Sequence, residues 1–556
     1  MSVTSSFHET AFEDRAPIQL PHPVRMRVLY AVMVGIFLAA LDQTVVGTAL
    51  PRIITDLGGN NLYTWAFTAY LLTSTISGPL YGKLSDLFGR RPIFLFGIGV
   101  FMVGSLLAGL SQEMWQLVAA RGVQGLGAGA LFPIALAVIG DLFAPSERGK
   151  YQGLFGAVLG LSVLVGPAIG GIITDTIGWP FVFFLNLPIG AAVFVAVWKN
   201  LPAYHLGGER PKIDYLGAVL FAGALVPILV GLTNKRGAEW TDPAVGGLIA
   251  LGAVILALFV FVESRSDEPI VPLELFRIRA FTISVAAVFL AAFGFFAAVV
   301  FLPRWFQVVA GASATESGYQ ILPLLGGLIV SAVASGQIVS RTGRYRMLMF
   351  GALTVMAIGL FMLSHLEATT PLPVLWGWMF VTGLGVGPTF AVFTLIVQNG
   401  VPVSRLGTAT SNLTFFQQVG GTVGLAITGT IFGSRLIEEL PGQLAAAGVP
   451  TQIGGAIAGG GPGSLDALTG VGDLGQAILA SVPAEIKAQV APFVPGIVDA
   501  IYGAFSIATA STFTPGIVAA AVAAGLVLLL KEAPARVPAT VPSPMAGART
   551  ADPTGS

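Results

Sequence analysis

The chain has 556 residues, 28 basic and 28 acidic side chains, and no cysteine. Hydrophobic residues make up 54% of it and charged residues only 10%, against about 25% in a soluble globular protein. That balance excludes a water-covered surface, an argument for nucleic acid from net charge, disulfides and cysteine-ligated metals. A polytopic membrane protein remains.

Residues 1–24 are polar and irregular and lack the charged-then-apolar pattern of a signal peptide, so they are expected to form a cytoplasmic N-tail. Apolar runs of about twenty residues, the length that crosses roughly 30 Å of hydrocarbon, then recur. They fall at 28–49, 62–81, 93–111, 115–140, 151–174, 181–198, 213–232, 244–263, 280–303, 317–340, 347–365, 373–398, 407–432 and 502–531, which makes fourteen expected spans. Basic residues collect on the cytoplasmic side of membrane proteins. With the N-terminus inside, the inside segments hold 21 Lys and Arg and the outside segments six, so both termini are expected in the cytoplasm and the protein in the cytoplasmic membrane. Residues 433–500 are rich in Gly, Ala and Pro and are expected as an external loop, with "GGAIAGGGPGS" flexible and the stretch after it able to form surface helices. Residues 534–556 have the composition of a disordered cytoplasmic C-tail. The four histidines are scattered outside the apolar cores, and no metal site is expected.

Two charges lie inside spans. "YAVMVGIFLAALDQTVVGTALPRI" carries Asp42 in the first, and Arg121 stands a few residues into the fourth. An intramembrane Arg costs about 3 kcal/mol even on lenient insertion scales, so it should face a cavity and a partner. On these boundaries the two lie at comparable depth. A permanent buried ion pair gains little over apolar packing. A carboxylate in low dielectric holds a proton more tightly, and a nearby guanidinium loosens it again. A conformational change that alters water access or the distance to Arg121 would therefore swing proton affinity at Asp42.

Further along, "GKLSDLFGRRP" (82–92) combines Gly82, Lys83, Asp86, Gly89, Arg90 and Arg91. "GQIVSRTGRYR" (336–346) repeats its Gly82, Gly89 and Arg90 as Gly336, Gly343 and Arg344 at identical spacing. If 213–232 and 244–263 are inserted between equal halves, both copies follow the second span of their half. Such internal repeats are the build of secondary transporters, with the substrate site between the halves. The expected organisation is a six-helix half at 25–200, an inserted pair with its linkers at 201–279, and a second half at 280–533. Between the two copies of the repeat, "GLSVLVGPAIGG" (160–171) sets Gly160, Gly166, Gly170 and Gly171 around Pro167, which suits a helix that bends or slides against a neighbour. Aromatic and amide side chains within the spans, namely Trp65, Asn186, Phe293, Phe296, Asn412, Phe415, Phe416 and Gln417, suit an amphipathic ligand. No second acidic residue lies deep in a span to suggest a dedicated cation site.

With these motifs in order, the chain resembles the major facilitator superfamily, and "LDQTVVGTALPRI" (41–53), "LVAARGVQGLGAGAL" (117–131) and "GLSVLVGPAIGG" resemble the further motifs of its fourteen-span drug:proton antiporters. The resemblance covers about 25–432 and the final span. It implies an all-α fold, a latch role for the 82–92 cluster and its repeat, and export rather than uptake through the antiporter-motif helix. Gly47 stands where the family usually has Asn, Gln417 where it often has Arg, and the second repeat lacks an acid matching Asp86. The function expected is proton-coupled export of amphipathic, drug-like compounds by a monomer in the bilayer, with protons as coupling ion and no other cofactor. A native lipid, siderophore or metabolite is the alternative cargo. A membrane enzyme would need His, Asp, Ser or Lys groups converging at one membrane face, which the sequence does not offer. A channel or sensor fits poorly with duplicated halves and gating motifs.

Overall fold

The computed structural model describes residues 20–57, 63–143, 145–202, 214–235, 239–266, 269–402, 405–450, 474–481 and 487–532, and the regular structure among them is helical. The helices in the first part are α1 (His22–Leu57), α2 (Tyr63–Phe88), α3 (Arg90–Gly109), α4 (Met114–Leu142), α5 (Pro145–Thr176), α6 (Pro180–Phe184) and α7 (Asn186–Asn200). Next come α8 (Tyr215–Asn234) and α9 (Leu248–Glu263). The second part holds α10 (Arg279–Val308), α11 (Ala314–Gln320), α12 (Leu322–Thr342), α13 (Arg346–Leu363), α14 (Leu372–Gly400) and α15 (Leu406–Ala446). It ends with the short α16 (Leu474–Ser481) and α17 (Lys487–Val490), then α18 (Val494–Ser511) and α19 (Thr514–Val527).

One pattern of packing occurs twice. In the first part α1 packs on α5 and α7, α4 on both α2 and α3, and α3 on α7. In the second part α10 packs on α15 and α19, α14 on α12 and α13, and α13 on α19. Small residues make the closest of these approaches, as expected where helices associate without a hydrophobic drive. A Cβ at Gly104 of α3 would overlap the backbone of Gln124 of α4, and one at Gly385 of α14 would overlap the backbone of Met356 of α13. The two parts meet along α2 with α15 and, in mirror fashion, α5 with α12. The pair α8–α9 packs on itself and leans against α2 and α15. The sequence repeat is visible in the backbone: Gly89 has φ 91° and Gly343 φ 67°. These are left-handed conformations that strain any residue with a Cβ.

Eleven helical segments among the described residues are long and apolar enough to cross a membrane, against the fourteen spans expected. The other three expected spans, 62–81, 151–174 and 407–432, fall on α2, α5 and α15. α2 and α15 are long helices at the seam between the two parts, diluted by Thr, Ser, Gln and Gly, and several side chains of α5 lie outside the described residues. The expectation of an external loop from 433 is corrected in part: α15 runs on to Ala446 and α18 starts at Val494. Leu436, Leu440 and Leu444 recur at helical spacing and are buried, which explains the continuation. "GGAIAGGGPGS", residues 1–19 and the C-tail lie outside the described residues.

Candidate functional site

Asp42 sits at mid-length of α1 and is 2% exposed. Its Oδ2 accepts from Arg121 Nη1 of α4 at 2.5 Å, and its Oδ1 accepts from Gln124 Nε2 at 2.8 Å and Asn186 Nδ2 at 2.7 Å. Arg121 and Gln124 are one helical turn apart, so one face of α4 presents both, and Arg121 Nη1 also donates to Gln124 Oε1 at 2.6 Å. Ser105 of α3 accepts from Gln124 and Asn186 and donates to the Phe183 carbonyl at 2.8 Å. Arg121 Nε donates to the Ala66 carbonyl of α2 at 3.3 Å. The guanidinium carbon lies 4.2 Å from the centre of the Tyr70 ring, a cation–π contact that holds the charge where water does not reach. Helices α4 and α7 thus bond the carboxylate carried by α1, and α2 and α3 hold their side chains from behind. Breaking such a pair from one side leaves an uncompensated buried charge, at about 3–5 kcal/mol.

A second cluster closes one end of the bundle. Asp86, near the end of α2, reaches across to the first turn of α15, whose N–H groups have no helical acceptor. Its Oδ1 accepts from Gly407 N at 3.0 Å, and its Oδ2 accepts from Thr408 N at 2.6 Å and Thr408 Oγ1 at 2.7 Å. Arg90 pairs with Asp86, donates to Ser85 Oγ at 2.8 Å and donates through Nε to Asp141 Oδ2 of α4 at 2.9 Å. Gly82 allows this approach, since a Cβ there would sit 2.8 Å from the Gly407 carbonyl. At the same end Gln398 of α14 donates to the Leu136 carbonyl of α4 at 3.0 Å, and Arg148 of α5 donates to Asn399 of α14 at 3.1 Å. The two packing units are therefore tied together at the α2–α3 turn.

Beyond that seal lies a cavity of about 790 Å³ between the units. Gln43 and Thr44 of α1, Thr68, Tyr70 and Thr75 of α2, Phe132 of α4, Phe295 and Phe296 of α10, Phe390 of α14, and Phe415, Gln417 and Gln418 of α15 form much of its wall. Thr75 Oγ1 and Gln418 Oε1 meet across the seam at 2.5 Å. Lys235, just past α8, is the one charged side chain on this wall among the described residues. Asp42 and Arg121 are not on it. Tyr70 is, and its ring also packs on Arg121, so one residue touches both the cavity and the buried ion pair.

The Major Facilitator Superfamily model matches residues 32–425. The chain belongs to the Major Facilitator Superfamily. As a superfamily member it is a multi-pass membrane transporter and not an enzyme. It is 37% identical over 412 residues to the multidrug transporter protein MdtP of Bacillus subtilis, covering 74% of this chain and 76% of that one. It is 35% identical over 426 residues to multidrug resistance protein 3 of the same organism, covering 76% and 83%. Among solved structures, the human organic anion transporter MFSD10 superposes with a TM-score of 0.56 at 16% identity, over 74% of this chain and 94% of that one, a likeness of fold.

Within this superfamily fold Asp42 and Arg121 meet, but Arg121 does not face the cavity that the sequence led one to expect for it. Gly82, Asp86, Gly89 and Arg90 gather at the seal, with Lys83 and Arg91 half-buried beside them. The second repeat does not mirror this: Gly336 is buried and Gly343 ends α12, but Arg344 is exposed, and Ser340 holds the register of Asp86 and bonds only its own helix. On α5, Gly166 faces Thr44 of α1 and Gly160 faces Ile329 of α12, so this helix is pressed between the units. Gly170 and Gly171 lie on the same helix, and the side chain of Pro167 is outside the described residues. Of the eight proposed cavity residues, Phe296, Phe415 and Gln417 line the wall and five do not. Asn186 is corrected to the Asp42 cluster. Phe293 packs against Gly424, Phe416 against Phe276, Asn412 donates to its own helix at the Thr408 carbonyl, and Trp65 lies half-buried at the start of α2. Sequence reasoning passed over Gln124, whose signal was its place three residues after Arg121. It also passed over Ser105, Tyr70, Asp141 and Thr408, ordinary residue types whose roles come from tertiary approach.

Proposed function

We propose that this chain is a proton-driven exporter of amphipathic, drug-like compounds, built from six-helix halves at 25–200 and 280–533 with the pair at 201–279 inserted, fourteen spans in all. Support comes from the multidrug names of its relatives and from the relation between cavity and ion pair. The single observation that carries the reading is Tyr70, which lines the cavity on one side and covers Arg121 on the other. In this reading the sealed end faces the cytoplasm, which the basic-residue bias of the sequence supports. The state described here then presents its cavity toward the outer side. Phe rings with a few amides and hydroxyls match ligands that are mostly apolar with scattered polar groups.

Coupling follows from Asp42. A proton reaching it removes the charge that holds Arg121, and the guanidinium then favours another partner, which loosens α4 and α2 around Tyr70. Release of the seal at Asp86 opens the cavity to the cytoplasm. Substrate entry and proton loss to the cytoplasm reset the cycle. A negative interior adds about 2.3 kcal/mol per charge per 100 mV to the proton's inward drive.

The test uses energised vesicles with one neutral and one cationic substrate. Asp42→Asn alone leaves Arg121 buried without its counter-charge, so the paired variant Asp42→Asn/Arg121→Gln is the cleaner probe. It should bind substrate and fail to concentrate either compound against a gradient. Gradient-driven export of both by the paired variant would overturn proton carriage by Asp42. Loss confined to the cationic compound would assign Asp42 to substrate instead.

A further inference from the structure

The inserted pair α8–α9 carries two acids that the cavity and the ion pair leave unused. Asp214 precedes α8 and Glu263 ends α9, so antiparallel packing brings them together at the sealed end. Asp214 Oδ1 caps α8, accepting from Gly217 N at 2.6 Å. Glu263 is 2% exposed, and its Oε1 accepts from Val271 N at 2.6 Å. The second oxygen of each, Asp214 Oδ2 and Glu263 Oε2, is buried without a hydrogen-bond partner among the described residues.

Both free oxygens face one small space. A methyl group at Gly217 would sit 2.7 Å from Asp214 Oδ2 and 2.9 Å from Glu263 Oε2. Two ionised carboxylates in such a space repel each other, and one proton between them removes the repulsion and supplies the missing donor. The described charge that faces them from the neighbouring helix is Lys83 of α2, which acts on Glu263 through its field but donates to neither free oxygen. Lys83 is the second residue of the 82–92 segment.

We propose that Glu263 and Asp214 share one proton, forming a second protonation site on the inserted pair, outside the substrate cavity, whose charge acts on Lys83 beside the seal. The pair bears one negative charge when the proton is held and two when it is lost. Loss therefore strengthens the pull on Lys83 and draws α2 toward α8. The site stands independently of Asp42.

The experiment uses the full chain in lipid nanodiscs, comparing the wild type with Glu263→Gln and Asp214→Asn from about pH 5 to about pH 9, a range that spans ordinary and shared carboxylate protons. Thermal unfolding and infrared absorption of protonated carboxyls are the readouts. A folded chain that keeps a proton which the unfolded chain releases loses stability as pH rises. The wild type should show that fall, and Glu263→Gln should flatten it, because an amide donates without titrating. A protonated-carboxyl band present at neutral pH in the wild type should vanish in Glu263→Gln. The same difference should survive in the Asp42→Asn/Arg121→Gln background, which separates this site from the coupling proton. An unchanged pH slope and band in Glu263→Gln would overturn the proposal. So would stabilisation of the wild type at high pH by sodium but not by a bulky organic cation, which would put a metal ion between the carboxylates.

Discussion

Asp86→Asn tests the seal most directly. The carboxylate accepts three bonds from the first turn of α15, at 3.0, 2.6 and 2.7 Å, and also pairs with Arg90. An amide keeps one acceptor oxygen and turns an NH₂ toward donors, so at least one backbone bond, from Gly407 N or from Thr408 N, is lost together with the full charge. A hydrogen bond to a charged group contributes about 1.5–3 kcal/mol, and a negative charge at a helix N-terminus up to about 2 kcal/mol in partly buried geometry. Water replaces part of this when the end opens, so the bias should fall by about 2–4 kcal/mol, or roughly 30- to 900-fold in the equilibrium between sealed and open ends. The chain has no cysteine, so labels can be placed without background. Lys150 of α5 and Gln337 of α12 are exposed near this end, one on each unit, and accept spin labels as cysteine variants. Pulsed electron resonance on the labelled pair should show a sharp distance in the parent and a second, longer one in Asp86→Asn. An unchanged distance distribution, in a variant that is folded and inserted, would refute the latch.

Other predictions follow from the same geometry. Gly89→Val should slow transport at least tenfold and weaken thermal stability by about 1–3 kcal/mol, because a β-branched side chain is strained at φ 91°; the check is transport rate against melting temperature. Arg121→Lys should bind substrate and export at a reduced rate, since an ammonium keeps the charge but cannot reach Asp42, Gln124 and the Ala66 carbonyl in one planar fork; vesicle export reads this out. Asp42→Asn alone should melt lower by about 3–5 kcal/mol than the paired variant with Arg121→Gln, and equal melting points would show that the guanidinium is not buried as described. Tyr70→Ala should open the ion pair to the cavity and leak protons without substrate, measured as dissipation of an imposed pH gradient.

Much of the architecture can be read along the chain because length and apolarity are local. The runs that became α1, α3, α4, α10 and α14 needed only counting, and the Gly82–Arg90 spacing repeated at 336–344 announced the duplicated packing. The apolar criterion weakens at α2 and α15 for a physical reason. Those helices build the seam, and a helix facing a cavity carries Thr, Ser and Gln where a lipid-facing one carries Leu. The site was legible where charge is costly. Asp42 and Arg121 had to find each other, since neither could be left alone in hydrocarbon.

Asn186 shows where that reasoning stops. Read alone, an amide in a span looks like a ligand contact, because a polar group there needs some partner. The need was met internally: Asp42 has room for several donors, and Arg121, Gln124 and Asn186 fill it. A buried carboxylate thus recruits nearby amides and removes them from the cavity wall, so strongly polar residues in spans predict ion-pair networks better than they predict binding sites. The wall is left to Phe rings and to neutral polar groups, Thr hydroxyls and the amides of Gln417 and Gln418, with Thr75 and Gln418 bonded to each other across the seam. For a transporter of amphipathic cargo this division has a mechanistic use. On the function proposed above, the charge that would respond to a proton is kept off the cavity wall, while the wall itself carries little charge to discriminate between one apolar molecule and the next.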